Sequence, residues 1–217
     1  MSRVQIQHLQ VSRTARIFSL PSRQHPPSQI WVVLHGYGQL ASDFLTAFDL
    51  SIFSEDLVVA PEALSRFYTR GGAGPVGASW MTKEDRETDI QDYLDYLQQV
   101  CVELQQQHPN VPLILLGFSQ GAATAGRLAA RFPGIFTHLF IWAGVFPPDL
   151  SMDNFSGWPP TLLIRGDADQ MLSEAQWQSD LKILKNKGLP VSGLAFSGRH
   201  ELEEKVLMQL RRGLGLK

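Results

Sequence analysis

Residues 111–131 read VPLILLGFSQGAATAGRLAAR, and they decide the fold. Val111 to Leu116 is a short, continuously apolar run of the kind that forms a strand buried on both faces. Gln120 to Arg131 is rich in alanine and helical in pattern. Between the two stands Gly117-Phe118-Ser119-Gln120-Gly121. A G-x-S-x-G placed directly after a strand and directly before a helix is the setting of a nucleophile elbow, a strained turn that lifts a serine above the sheet edge. Side chains two residues to either side of that serine would collide with neighbouring backbone, which accounts for the glycines. Ala122, Ala123, Ala125 and Gly126 then let the helix pack close against the sheet. Ser119 is therefore a candidate nucleophile. The competing reading is an ordinary Gly-Ser turn capping a helix.

The same unit recurs on both sides of this stretch. Ile30 to Leu34 (IWVVL), Leu57 to Ala60 (LVVA, stopped by Pro61), Leu139 to Trp142, Thr161 to Ile164 and Val191 to Phe196 are predicted strands. Asp89 to Gln107 is a predicted amphipathic helix. Its apolar Ile90, Tyr93, Leu94, Leu97, Val100, Cys101 and Leu104 recur at spacings of three and four. Ser42 reads as a helix N-cap with Asp43 in the first turn. Helices are also predicted from Ser173 to Lys187 and from Glu201 to Arg212; the second has acids at its start and Arg211 and Arg212 at its end, which suits the helix dipole. Apolar strands alternating with helices make this an α/β protein, with a mostly parallel central sheet and helices on both faces. Two segments break the alternation. Val4 to Phe18 alternates in polarity and reads as an antiparallel edge hairpin. Ser65 to Ser79, SRFYTRGGAGPVGAS, holds four glycines and a proline and reads as a long surface loop of the kind that borders active sites. Pro147 to Pro160 is a second such loop.

Composition narrows the function classes. At 217 residues with 44% hydrophobic and 18% charged residues, the chain is too apolar for intrinsic disorder. The expectation is a single domain spanning residues 1–217, which needs no staple. Cys101 is the one cysteine, which excludes an internal disulfide and a cysteine-rich zinc site. The net charge of −2 gives no footprint for nucleic acid or polyphosphate. No targeting segment stands out, and no run approaches the roughly 18 apolar residues of a membrane span. A cytoplasmic protein without metal or cofactor is expected.

A nucleophilic serine needs a base, and the base an orienting acid; on this fold the chain order is Ser, then acid, then His. His138 and His200 follow Ser119. His138 abuts the beginning of a strand, the wrong end for catalysis in a parallel sheet. His200 follows the last strand, on the same edge as Ser119. Asp167 and Asp169 both follow the strand TLLI, and spacing leaves the choice of acid between them open. The oxyanion hole needs two backbone N–H groups. One is that of Gln120; the other belongs to the loop Leu34-His-Gly-Tyr-Gly. His35 in that loop reads as a structural histidine bridging loop backbones.

A rival class reads the loop differently. Gly36-Tyr-Gly-Gln-Leu-Ala41 matches G-x-G-x-x-[GA], and Glu62 follows Gly36 by 26 residues, against roughly 20 in the dinucleotide fingerprint. A nucleotide-binding oxidoreductase using GYGQLA is thus an alternative, and a non-catalytic hydrolase scaffold is another.

LHGYG, GFSQGAA, RGDADQ and GRHE, in this order, resemble the phospholipase/carboxylesterase family of α/β-hydrolases, which includes bacterial carboxylesterases and acyl-protein thioesterases. The resemblance runs from about residue 28 to 212. It implies an α/β-hydrolase fold with no large cap domain. It also implies a serine hydrolase that cleaves carboxylic esters, or thioesters or lysophospholipids, through a Ser-His-Asp triad and an acyl-enzyme. Mapped onto the family pattern, the acid is Asp169 and the oxyanion N–H groups are those of Tyr37 and Gln120. Ser79-Trp80 is expected beside the substrate. Trp80, Met81, Phe118, Trp142 and Phe146 flank the expected catalytic edge as substrate-binding candidates, each equally able to be core. Arg66 and Arg70 read as solvated loop charges. Two residues depart from the pattern, Arg165 and Gln170, where the family has His and Pro. The expected partner is a small acyl ester in an open site, for short or medium acyl chains. The apolar loop Phe155-Ser-Gly-Trp-Pro-Pro is compatible with a homodimer.

Overall fold

The computed structural model describes residues 4–49, 51–150 and 156–214. Seven strands form the central sheet. They are β1 (Ile17–Leu20), β2 (Ile30–Leu34), β3 (Leu57–Pro61), β6 (Leu113–Phe118), β7 (Phe136–Trp142), β8 (Thr161–Gly166) and β9 (Val191–Phe196), in the spatial order β1-β3-β2-β6-β7-β8-β9. All neighbours are parallel except β1, which runs antiparallel along β3. The helices are α1 (Ala41–Leu45), α2 (Arg86–Gln107), α3 (Gln120–Arg131), α4 (Glu174–Asn186) and α5 (Glu204–Leu214).

Pleating sends alternate residues of each strand to opposite faces. Ile30, Val32 and Leu34 of β2 join the layer formed with α2, α3 and α4. Trp31 and Val33 join the opposite layer with Phe44 of α1 and Val206, Leu207 and Leu210 of α5. Both faces of β2, β3 and β6 are covered, so these strands read as unbroken apolar runs, while β1 and β9 at the edges are partly exposed. Chain order reverses between β2 and β6. The carboxyl ends of the strands at such a switch point are where ligands bind in sheets of this kind. The HGYG loop after β2 and the turn after β6 meet there.

Three expectations need correction. Val4 to Phe18 is no hairpin: only β1 pairs, and residues 4–16 carry no strand, with Val4, Ile6, Leu9 and Val11 exposed. The alternation there marked an edge and not a pair. Ser65 to Ser79 is not a plain loop. It folds into the antiparallel hairpin β4 (Ser65–Tyr68) and β5 (Val76–Ser79). Glycine content signals backbone freedom, but here Gly77 is needed in a strand, because a Cβ on it would run into the Gly38 carbonyl. Ser42 is not the N-cap of α1. Leu40 takes that position without a side-chain bond, and buried Glu62 accepts from Ala41 N–H at 3.4 Å instead. Among the described residues no helix is long and apolar enough to cross a membrane.

Candidate active site

Ser119 caps α3 with φ 54° and ψ −115°, a conformation that a non-glycine residue adopts only under constraint. The constraint is visible. Ser119 N–H donates to Trp142 O at 2.9 Å, and Ala122 N–H returns to Ser119 O at 3.0 Å. A Cβ on Gly117 would run into the Gly121 carbonyl, and one on Gly121 into the Leu34 carbonyl. Gly144, not singled out in the sequence, belongs to the same arrangement: its Cβ would collide with Ala122 and the Ser119 carbonyl.

Ser119 Oγ lies 2.9 Å from His200 Nε2, and His200 Nδ1 lies 2.9 Å from Asp169 Oδ2. His200 is on the loop after β9, Asp169 on the loop after β8. The Asp169 side chain is fully buried and that of His200 is 24% exposed, so the chain of bonds runs from the interior to solvent. Asp169 Oδ1 also accepts from Met171 N–H at 2.7 Å and Leu172 N–H at 3.0 Å. Burial alone would push its carboxyl up, but the hydrogen bonds from His200, Leu172 and Met171 outweigh it and hold the pKa below the ordinary value. An ionised Asp169 keeps the imidazole proton on Nδ1, which leaves the Nε2 lone pair facing the Ser119 hydroxyl. The Phe118 ring packs 5.1 Å from the imidazole.

Asp167, the other aspartate, accepts from Gly198 N–H at 3.0 Å, and its own N–H donates to Phe196 O at 2.8 Å. It ties the acid loop to the histidine loop without touching the imidazole.

The loop after β2 faces the elbow. A Cβ on Gly36 would stand 3.1 Å from Ser119 Cβ. Gly36 N–H donates to Gln39 Oε1 at 2.8 Å, while the N–H groups of Tyr37 and Gln120 donate to no other described residue. Gly38 N–H donates to Ala78 O at 2.8 Å and Ala78 N–H to Gln39 O at 3.1 Å, so the β4–β5 hairpin braces this loop. The Tyr37 ring, 61% exposed, lies against Phe67 at 5.2 Å. His35 donates from Nδ1 to Gly36 O at 2.8 Å and accepts at Nε2 from Ala63 N–H at 3.1 Å. Burial lowers its pKa, so it is a neutral bridge between loop backbones.

The Gln120 side chain has a part that sequence reasoning missed. It accepts from Trp80 N–H at 3.0 Å and donates to Met81 O at 2.8 Å. Ser79 Oγ donates to Met81 O at 2.8 Å, and Trp80 Nε1 to His35 O at 2.9 Å. Ser79 and Trp80 are thus buried beside the elbow as a brace. Met81 is half-buried. Trp142 is fully buried, with Nε1 on Glu201 O at 3.0 Å. Phe146 packs on Trp158 at 5.8 Å, so Trp158 of the FSGWPP loop is a core side chain; Phe155 of that loop lies outside the described residues.

Glu62 is 1% exposed and binds Arg16 and Arg66, so the acid required of a ribose-binding fingerprint is already enclosed. Arg66 is accordingly an ion-pair partner and not a free loop charge, and α1 is a single short turn of helix.

The family described as phospholipase/carboxylesterase matches residues 15–215. No curated protein sequence matches the chain. Among solved structures, esterase PE8 superposes with a TM-score of 0.76 at 25% identity, covering 94% of this chain and 99% of that one. Acyl-protein thioesterase 2 of Zea mays gives 0.71 at 19% identity over 93% and 98%. A phospholipase/carboxylesterase from Dyadobacter fermentans gives 0.68 at 22% identity over 96% and 99%. With the sheet order and its switch point, these matches place the chain in the α/β-hydrolase fold. It is a hydrolase belonging to the phospholipase/carboxylesterase family.

Proposed function

We propose that this chain cleaves carboxylic esters through an acyl-enzyme on Ser119, with His200 as general base and Asp169 as its orienting acid. The observation that carries the reading is the unbroken chain from Ser119 Oγ through His200 to buried Asp169, two contacts of 2.9 Å each. His200 Nε2 takes the hydroxyl proton as Ser119 attacks the acyl carbonyl. The carbonyl oxygen turns toward the N–H groups of Tyr37 and Gln120, each worth about 3 kcal/mol of barrier. The imidazolium, stabilised by Asp169, then protonates the leaving alcohol or thiol. Water then attacks the acyl carbon while giving a proton to His200, and His200 returns that proton to Ser119 Oγ as the serine–acyl bond breaks and the acid leaves.

The substrate in this reading is a small-molecule acyl ester of short or medium chain, with thioesters and lysophospholipids as further leaving-group classes. Esterase PE8 and the maize thioesterase carry those activities in their names, which supports an ester or thioester carbonyl as the reacting group. The test is hydrolysis of p-nitrophenyl butyrate by the parent and by Ser119→Ala. Turnover should fall by roughly 10³-fold or more, and a fluorophosphonate should label the parent once and the variant not at all. A loss below tenfold rejects the assignment. A panel of esters and thioesters of graded length then defines the acyl and leaving groups.

A further inference from the structure

Beneath the acid loop lies a buried cation that the mechanism does not use. Arg165, near the end of β8, is 5% exposed, and none of the ion pairs among the described residues includes it. Its Nε donates to Leu172 O at 3.3 Å and its Nη2 to Asp167 O at 3.4 Å. Those two carbonyls stand on either side of Asp169, so one planar fork spans the segment that carries the acid. A buried guanidinium is costly unless something compensates it, and an apolar side chain would fill the same space without that cost. Position 170 is glutamine, so no proline ring restrains the backbone there. The other ties of this loop are Asp169 N–H to Gly166 O at 3.2 Å, the two bonds to Asp169 Oδ1, and three bonds to the histidine side: Asp167 N–H to Phe196 O at 2.8 Å, Ala168 N–H to Gly198 O at 2.9 Å and Gly198 N–H to Asp167 Oδ1 at 3.0 Å.

We propose that Arg165 is a positioning residue for the triad: by holding the Asp167 and Leu172 carbonyls at once, it sets the loop so that Asp169 Oδ2 meets His200 Nδ1. The inference rests on the serine-hydrolase reading. It requires the fork and not merely a charge, because an ammonium is a point donor that does not span two separated carbonyls in one plane.

The test compares Arg165→Met and Arg165→Lys with the parent in the full chain. Two readouts are taken: kcat and KM on p-nitrophenyl butyrate, and the downfield proton resonance of His200 Nδ1–H by NMR. In Arg165→Met, kcat falls tenfold or more while KM stays within threefold, and the Nδ1–H resonance is displaced or lost. Arg165→Lys recovers part of kcat but not the parental resonance. Overturning outcomes are a Met variant within twofold of the parental kcat with an unmoved resonance, or a loss of kcat that only matches a lost folded fraction by circular dichroism. If the Met variant does not fold, the Lys variant decides: parental kcat and resonance in a folded Arg165→Lys overturn the proposal. The resonance needs no turnover. An inactive parent, or activity surviving Ser119→Ala, would therefore reject the hydrolase reading while the Asp169–His200 geometry is still judged.

Discussion

The Gln120 side chain holds both ends of the Trp80-Met81 main chain, accepting from Trp80 N–H at 3.0 Å and donating to Met81 O at 2.8 Å. One residue therefore leaves its backbone N–H without a partner among the described residues and uses its side chain to fasten the segment after β5. Gln120→Ala keeps the N–H but leaves the Trp80 amide, on a residue only 3% exposed, without a partner. The expected cost is about 1–3 kcal/mol of folding free energy, read as a lower urea midpoint. Turnover falls less than for Ser119→Ala. A midpoint equal to the parent's would show the brace to be dispensable.

Two glycines should respond with opposite signs to the same methyl group. Gly121→Ala drives a Cβ into the Leu34 carbonyl, a backbone atom that cannot step aside, and should cost about 3 kcal/mol. Gly213→Ala, in α5 with no atom of the described residues within 4 Å of the new Cβ, should gain about 0.5 kcal/mol from helix propensity. Denaturant melts of the pair check this, and equal midpoints for the two variants would refute it.

Acid stability follows from two aspartates. The Arg127 hydrogen bond holds Asp149 far below the usual carboxylate range, and Asp169 is also depressed. A depressed carboxyl contributes stability that is complete above the unfolded pKa of about 3.9 and is lost as pH falls through the folded value. These two groups therefore add no slope between pH 7 and 5, and their loss begins below about pH 4. Asp56, raised by burial despite Arg211, acts in the opposite sense above that point. Urea melts at pH 7, 5, 4 and 3 should show Asp149→Asn less stable at pH 7 yet shallower in its decline from pH 4 to 3. An unchanged decline would assign acid sensitivity elsewhere.

Cys101 lies on the core face of α2, 1% exposed, and burial pushes its thiol up to about 12. The native protein should be inert to a thiol reagent such as 5,5′-dithiobis(2-nitrobenzoate) at pH 8, and should react with one equivalent after unfolding. Rapid reaction of the folded chain would contradict the packing of α2 on the sheet.

What sequence reveals depends on how far each constraint reaches along the chain. The strand–GFSQG–helix unit is local: a sharp turn between a buried strand and a close-packed helix demands glycine at positions 117 and 121, and the residues announce it. The apolar runs of β2, β3 and β6 announce a parallel sheet for the same reason, since burial on both faces leaves no polar alternation to mislead. The 65–79 hairpin is not legible because its own composition speaks of turns, while the bonds of Gly38 and Gln39 to Ala78 and the Tyr37 ring on Phe67 come from residues distant in sequence. The residue pattern could not separate Asp167 from Asp169, because both sit on one loop and only the fold shows which carboxylate meets an imidazole 31 residues later. The sequence leaves Trp142 equally able to be pocket wall or core, and only the packing of Phe196 and the Glu201 carbonyl around it makes it core. By itself the chain determined that these segments are strands and where its serine turns. The tertiary structure decided which side chains meet across those ends, because hydrogen bonds and burial act through space between segments that the sequence keeps apart.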